Sequence, residues 1–233
     1  MGLRRTNNED AFALLPETGV FAVADGIGGA EMGEVASAIF VEAACRAAAA
    51  GGPASETEAA ELIRGVFREA NQAILAVALE DAGRAGMGCT AEVAMFIRNR
   101  FVVGHVGDSR TYLFAGGRLR RITRDHSPVQ DQIDAGLLTE EAARNHPLRH
   151  MISRAVGTAE GAEPDISGGA LGAGEALLLC SDGLVDMVDD AGIESVLAAP
   201  GTPEQKVARL VALANERGGS DNVTVVLCEW SDI

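Results

Sequence analysis

The order of helical and strand-like stretches along this chain is the feature that most limits its fold. EVASAIFVEAACRAAAA, residues 34–50, is Ala-rich and meets no breaker until GGP at 51–53, so it reads as a long helix. A second helix is expected over residues 56–82, where Leu62, Val66, Phe67, Ala70, Ile74 and Val77 recur on one face at three- and four-residue spacing. Neither helix shows polar chemistry on its inner face, so both read as packing layers. Two short strands, residues 11–15 and 20–25, precede them around the turn at 16–19. Strands return in CTAEVAMFI, RFVVGHVG and SRTYLFAGGRLRRI, with Ala115-Gly116-Gly117 as a hairpin signal. Apolar periodicity weakens over residues 124–157, which read as a short-helix excursion from the sheets. A strand at 176–180, helices near 184–187, 191–198 and 203–217, and a last strand at 223–230 complete the chain. The regular alternation of a βαβ protein is missing. The expectation is an α+β fold of two mainly antiparallel sheets flanked by helices, as a single domain over residues 1–233.

Charge and cysteine usage narrow the function classes. A formal net charge of −15 argues against nucleic-acid binding, which depends on Lys and Arg neutralising phosphates. Cys45, Cys89, Cys180 and Cys228 are widely spaced in apolar segments with no CxxC pair, so buried reduced thiols are expected, with neither disulfides nor zinc. MGLRRTNNED has no apolar run of a secretory signal, and no stretch approaches the ~18 apolar residues that span a bilayer. A cytoplasmic monomer without membrane attachment is the expectation.

Three aspartates stand at the ends of apolar runs beside a glycine or small polar residue: Asp25 in FAVADGIGG, Asp182 in LLLCSDGL and Asp221 in GGSDNVTVVL. One Asp-Gly after a strand reads as a hairpin turn. Three far-separated copies, joined by NNED and GDSR, read instead as oxygen ligands for hard cations such as Mg²⁺ or Mn²⁺. A carboxylate such as Asp25 can bridge two cations about 3.5–4 Å apart, with Asp182 and Asp221 completing one shell. A water held between them loses its proton near neutral pH and becomes the nucleophile, while the ions stabilise charge on a phosphoryl group. No Ser, Cys or His nucleophile is then needed, and none stands out.

Other motifs weigh differently. A GxGxxG begun at Gly26 would need glycine at position 31, which is Glu31, and no GxxxxGK[ST] occurs, so nucleotide loops fail. Gly26 does let the backbone turn and bring a peptide carbonyl close to an ion. Arg5 reads either as an exposed basic residue or as a guanidinium clamp on phosphate oxygens, with Arg4 the competing candidate. Asp108 reads as a hairpin residue, paired with Arg110, or as a ligand for a third, weaker cation beside Asp182. His105 reads as structural. His126, His146 and His150 have no ligand spacing, and Pro147 interrupts the turn between the last two.

Together these residues resemble the type 2C metal-dependent protein phosphatases, specifically their bacterial branch. The matching motifs run in order through RRTNNEDAF, ADGIGGAEMGEVAS, GMGCTAEVAM, VGDSRTYL, DHSPVQDQIDAG, HPLRHMISRAVG, LLLCSDGL and SDNVTVVL. The resemblance implies a four-layer α-β-β-α sandwich that dephosphorylates phosphoserine and phosphothreonine by direct attack of a metal-bridging hydroxide, with no phosphoenzyme. Asp25 would bridge two Mn²⁺ or Mg²⁺ ions, the Gly26 carbonyl would bind the second, and Asp182 and Asp221 would complete the first. Glu9 and Asp10 would act through waters and hydrogen bonds, Arg5 would contact phosphate, and Asp108 with Asp182 would hold a third ion. Residues 124–157 would be the family's mobile, substrate-contacting flap. The implied partners are phosphorylated proteins and a cognate serine/threonine kinase.

Three departures accompany the resemblance. Ile27 replaces the histidine that animal enzymes carry after Asp-Gly, as in bacterial relatives. Cys89 stands where Thr or Ser is usual, which reads as a packing change. The family's first strand begins several residues before Gly2, so the start reads as trimmed or ragged. Two alternatives remain at this stage: a regulatory phosphatase for one dedicated partner, and a non-catalytic phosphoprotein-binding module on the same fold.

Overall fold

The computed structural model describes residues 1–28, 32–80, 86–158 and 163–231. Strands β1 (Asp10–Leu15) and β2 (Val20–Ile27) form a hairpin, followed by helices α1 (Gly33–Ala49) and α2 (Glu56–Glu80). Next come β3 (Gly88–Ile97), β4 (Arg100–Val106), β5 (Arg110–Ala115) and β6 (Arg118–Arg121). Short helices α3 (Pro128–Asp134) and α4 (Glu140–Ala143) occupy the excursion at 124–157. The rest is β7 (Asp165–Ala170), β8 (Ala176–Cys180), α5 (Asp182–Val185), α6 (Asp190–Ala198), α7 (Pro203–Glu216) and β9 (Val225–Glu229).

The strands make two antiparallel sheets, ordered β1-β2-β3-β4-β7 and β6-β5-β8-β9. Alternation on β2 explains the layering. Ala22 and Ala24 face the α1–α2 layer, where they meet Phe40, Ile63, Phe67 and Ile74. Val23 points the other way, into a core shared with Phe101, Val103, Leu113, Leu177 and Leu179 between the sheets. On the far side, Tyr112, Leu178 and Cys180 pack under Leu184, Ile193, Leu197 and Leu210. The result is the expected α-β-β-α sandwich. Small Ala side chains on β2 allow α1 to sit close, and Phe40 meets Phe67 edge-on at 4.9 Å to lock α1 to α2.

Several expectations need correcting. Asp25 lies inside β2, Asp182 is the first residue of α5, and Asp221 precedes β9, so only part of the strand-end reading holds. The expected last two residues of the second helix, 81–82, lie outside the described residues. β7 went unread because DISGGA offers one large apolar residue and no alternation; its hydrogen bonds to β4 make it a strand. The inner helix faces are not free of polar chemistry either. Buried Ser37 on α1 donates to the Glu9 carbonyl at 2.6 Å. Buried Asn71 on α2 accepts from Gly157 N–H at 2.7 Å and donates to the Thr158 carbonyl at 3.2 Å. Cys89 and Cys180 are buried, whereas Cys45 and Cys228 are half-buried; all four are free. Arg110 pairs with Asp125 at 2.6 Å, not with Asp108.

Candidate metal centre

The site is assembled by register and by two close backbone approaches. Asp10 on β1 lies opposite Asp25 on β2, and Asp25 lies opposite Thr90 on β3, so these side chains share one face of the sheet. Asp182 arrives from the other sheet, one residue beyond the Ser181 N-cap of α5. Its carboxyl lies close enough to that of Asp25 for the two charges to repel. Asp221 is brought beside Asp182 because Gly183 has no side chain: a Cβ there would lie 1.9 Å from the Asn222 carbonyl oxygen. Gly26 similarly admits the start of α1, since its Cβ would sit 2.1 Å from the Gly33 carbonyl oxygen. Substituting Gly183→Ala is therefore expected to force Asp182 and Asp221 apart. Unfolding in urea should show a loss of about 1–3 kcal/mol, accompanied by loss of turnover.

Polar tethers fix the acidic residues in place. Asn222 accepts from Glu9 N–H at 2.7 Å and donates to the Asn7 carbonyl at 2.9 Å, while its own N–H reaches Asp221 Oδ1 at 2.8 Å. The Ser181 hydroxyl donates to Asp10 Oδ2 at 2.8 Å and accepts from Thr224 N–H at 3.0 Å. Asn7 Nδ2 donates to Glu9 Oε1 at 3.0 Å. Ser181 and Asn222 escaped the sequence reading, although both flank aspartates that it singled out.

The electrostatics are those of a site short of positive charge. Burial, then the charges of Asp182 and Asp10, hold Asp25 well above the usual carboxylate range. Burial, then Asp108, Asp186 and Asp221, do the same to Asp182. Asp108 is pushed up to about 7 by burial and by Asp125, against the pull of Arg110. Asp10 is raised by burial, which its hydrogen bonds to Thr224 and Ser181 partly offset. Asp10 Oδ1 and Asp182 Oδ1 are buried without a hydrogen-bond partner. Arg5 brings a positive charge to this rim, 2.7 Å from Asp221 and 49% exposed. An all-oxygen donor set with orphaned carboxylate atoms fits Mg²⁺ or Mn²⁺ in place of a softer metal.

Asp186 is the acidic residue that sequence reading missed. It lies one turn after Asp182, where its N–H bonds to the Asp182 carbonyl at 2.9 Å. Burial raises its carboxyl, with His150 and Arg110 opposing. His150, set aside as a ligand on spacing, lies 3.4 Å from Asp186 Oδ2, and His150, Asp182 and Asp186 each offer a ligand atom within 4.8 Å of the others. The i, i+4 spacing in SDGLVD was the available signal. Asp108 sits in the β4–β5 turn and repels both Asp182 and Asp186.

Against known proteins, the protein phosphatase 2C family matches residues 4–217. The chain belongs to the protein phosphatase 2C family of serine/threonine phosphatases. It is 39% identical over 234 residues to the serine/threonine protein phosphatase PstP of Mycobacterium tuberculosis, covering 99% of this chain but only 44% of that protein. To the serine/threonine phosphatase stp of Listeria monocytogenes it is 35% identical, covering 98% of this chain and 92% of the relative. The catalytic domain of PstP, solved in complex with two manganese ions, superposes with a TM-score of 0.90 at 36% identity over 99% of this chain and 95% of that one. Among the described residues no helix is long and apolar enough to cross a membrane.

Proposed function

We propose that this chain hydrolyses phosphoserine and phosphothreonine esters in proteins at the centre formed by Asp10, Asp25, Asp108, Asp182, Asp186 and Asp221. The observation that carries this reading is convergence: carboxylates from separate segments meet with two buried oxygens left without partners. Asp25, the Gly26 carbonyl, Asp182 and Asp221 would hold two Mn²⁺ or Mg²⁺ ions, and Asp108, Asp182 and Asp186 a third. When bound, such ions supply Lewis acidity toward the phosphoryl group and a nucleophile generated from water. Glu9 and Asp10 would orient water through their free oxygens, because their other contacts hold them still. Arg5 would exchange Asp221 for the phosphate dianion, which its exposed fork can reach by rotation. Ile27 carries no proton, so the leaving oxygen is protonated by another group. Residues 124–157 would act as the flap over the substrate; Leu137 and Met151 lie exposed on it. The substrates would include proteins phosphorylated by a cognate serine/threonine kinase of the same cell.

The test is hydrolysis of a phosphothreonine peptide with Mn²⁺ and with chelator. Release of phosphate only with metal is expected, and a trapped phosphorylated residue or an undiminished rate in chelator would refute the reading. In the same assay Asp108→Ala and Asp186→Ala should leave tight binding of two ions intact. They should lower the rate about ten- to a hundred-fold at low Mn²⁺, less at high Mn²⁺.

A further inference from the structure

We propose that Glu92, His105 and His126 form a clasp that ties both ends of the flap to the turn carrying Asp108, which makes them positioning residues. Glu92 and His105 face each other across β3 and β4 and are 0% and 1% exposed. The Glu92 carboxylate contacts His105 Nδ1 and also accepts from Thr111 Oγ1, on the other sheet, at 2.6 Å. An ionisable pair in an apolar interior is costly to desolvate compared with an apolar pair of the same volume. Its contacts show what it holds.

His105 Nε2 lies 2.8 Å from the Arg124 carbonyl, the first residue of the flap. A carbonyl only accepts, so that nitrogen carries the hydrogen, and the remaining proton of the pair lies between Nδ1 and Glu92. The His105 ring stacks on His126 with centroids 4.6 Å apart. Two bonds join His126 to Gly107, the residue before Asp108: its N–H donates to the Gly107 carbonyl at 2.7 Å, and its Nδ1 accepts from Gly107 N–H at 3.0 Å. The second bond requires a lone pair on Nδ1, so His126 is not the doubly protonated imidazolium. Burial and the neighbouring His105 charge agree with that, lowering His126 to about 4.

The other edge of the same ring receives the far end of the flap. His126 Nε2 lies 2.7 Å from Arg154 Nη1 and 3.2 Å from Asp165 Oδ2, and Arg154 also donates to Asp165 Oδ1 at 2.8 Å. Ser153 N–H donates to the His126 carbonyl at 2.8 Å. Residues 124, 153 and 154 thus converge on the stacked His105–His126 pair, and His126 also grips the Asp108 turn. Any displacement of the flap root is transmitted to Gly107, and the reverse. This inference rests on the reading that the flap contacts substrate.

The experiment compares His126→Phe, which keeps the ring but removes the Nδ1 acceptor, with His126→Asn, which retains an acceptor near that position. Asp165→Ala, on an exposed edge strand, tests the far end without burdening the core. Amide exchange of residues 124–157 is followed in the metal-free protein, and KM and kcat are measured on a phosphothreonine peptide. His126→Phe should speed exchange at both flap roots about ten-fold and raise KM about ten-fold with kcat at saturation nearly unchanged, and His126→Asn should restore both. Asp165→Ala should speed exchange at residues 153–157 alone. Unchanged exchange at the flap roots in His126→Phe and Asp165→Ala, or equal defects in His126→Phe and His126→Asn, would overturn the clasp. Faster exchange with an unchanged KM would uphold the clasp and remove the flap's role toward substrate.

Discussion

Replacing Asp182 with asparagine will cut turnover of a phosphothreonine peptide by at least about a thousand-fold and at the same time raise the melting temperature of the metal-free protein by a few degrees. The two effects have one origin. Asp182 Oδ1 is buried without a partner, and the carboxyl is repelled by Asp108, Asp186 and Asp221. An amide of nearly the same shape removes that repulsion and can donate to Asp25, so the empty protein gains. It also removes the anionic ligand shared by two proposed cation positions, so catalysis fails. Thermal melts in chelator and initial rates in Mn²⁺ decide it. A variant that melts lower in chelator would mean that Asp182 supports the fold and is not strained by its neighbours.

Metal-free protein will lose stability as pH rises from about 4 to about 7, and millimolar Mn²⁺ will reverse the trend. Asp10, Asp25, Asp108, Asp182 and Asp186 all have folded-state pKa values above the unfolded value near 4, Asp108 at about 7. The folded state therefore binds more protons than the unfolded one across that window, and stability falls as they leave. Below about pH 4 both states are protonated and this penalty is absent. His126 works in the opposite sense: lowered to about 4, it favours the folded state more as pH rises from 4 to its unfolded value near 6.5. Buried Glu92 and His105, both raised, add to the fall, while lowered exposed carboxylates such as Glu56 and Glu204 act mainly at the acid end of the window, so the net slope is negative. Cations bind the deprotonated carboxylates, and their stabilisation grows with pH. Melting curves at pH 5 and pH 8, with chelator and with Mn²⁺, give the four values needed; a flat response in chelator would show that the carboxylates do not repel one another.

Much of this was legible in the sequence, for identifiable reasons. Asp25 and Asp182 could be found because each lies where an apolar run meets Asp-Gly, and Asp221 because it opens the last one. The two sheets could be found because β2, β3 and β8 are nearly continuous apolar runs. What escaped was defined by partners far along the chain. Ser37 and Asn71 look like minor polar interruptions of apolar faces until their acceptors on Glu9 and Thr158 are seen. Asp186 and His150 acquire meaning only when the segment after α4 folds back toward α5. β7 owes its strand state to β4 and not to its own residues.

The stitching of Glu9 and Asn7 to Asn222 has a consequence for how the protein is made. Ribosomes deliver a chain from its N-terminus, so Asn7 and Glu9 wait for Asn222 while more than two hundred other residues are synthesised. The contacts that orient Glu9 span 213 positions, so Asp221 and Asn222 emerge long after it. Closing so wide a loop comes late in folding, after local helices and hairpins. A nascent chain can therefore build its α1–α2 layer and first sheet without owning a complete set of ligands. On the proposed ligand set, capture of the metals would be deferred until residue 221 has emerged and folded back onto the first sheet.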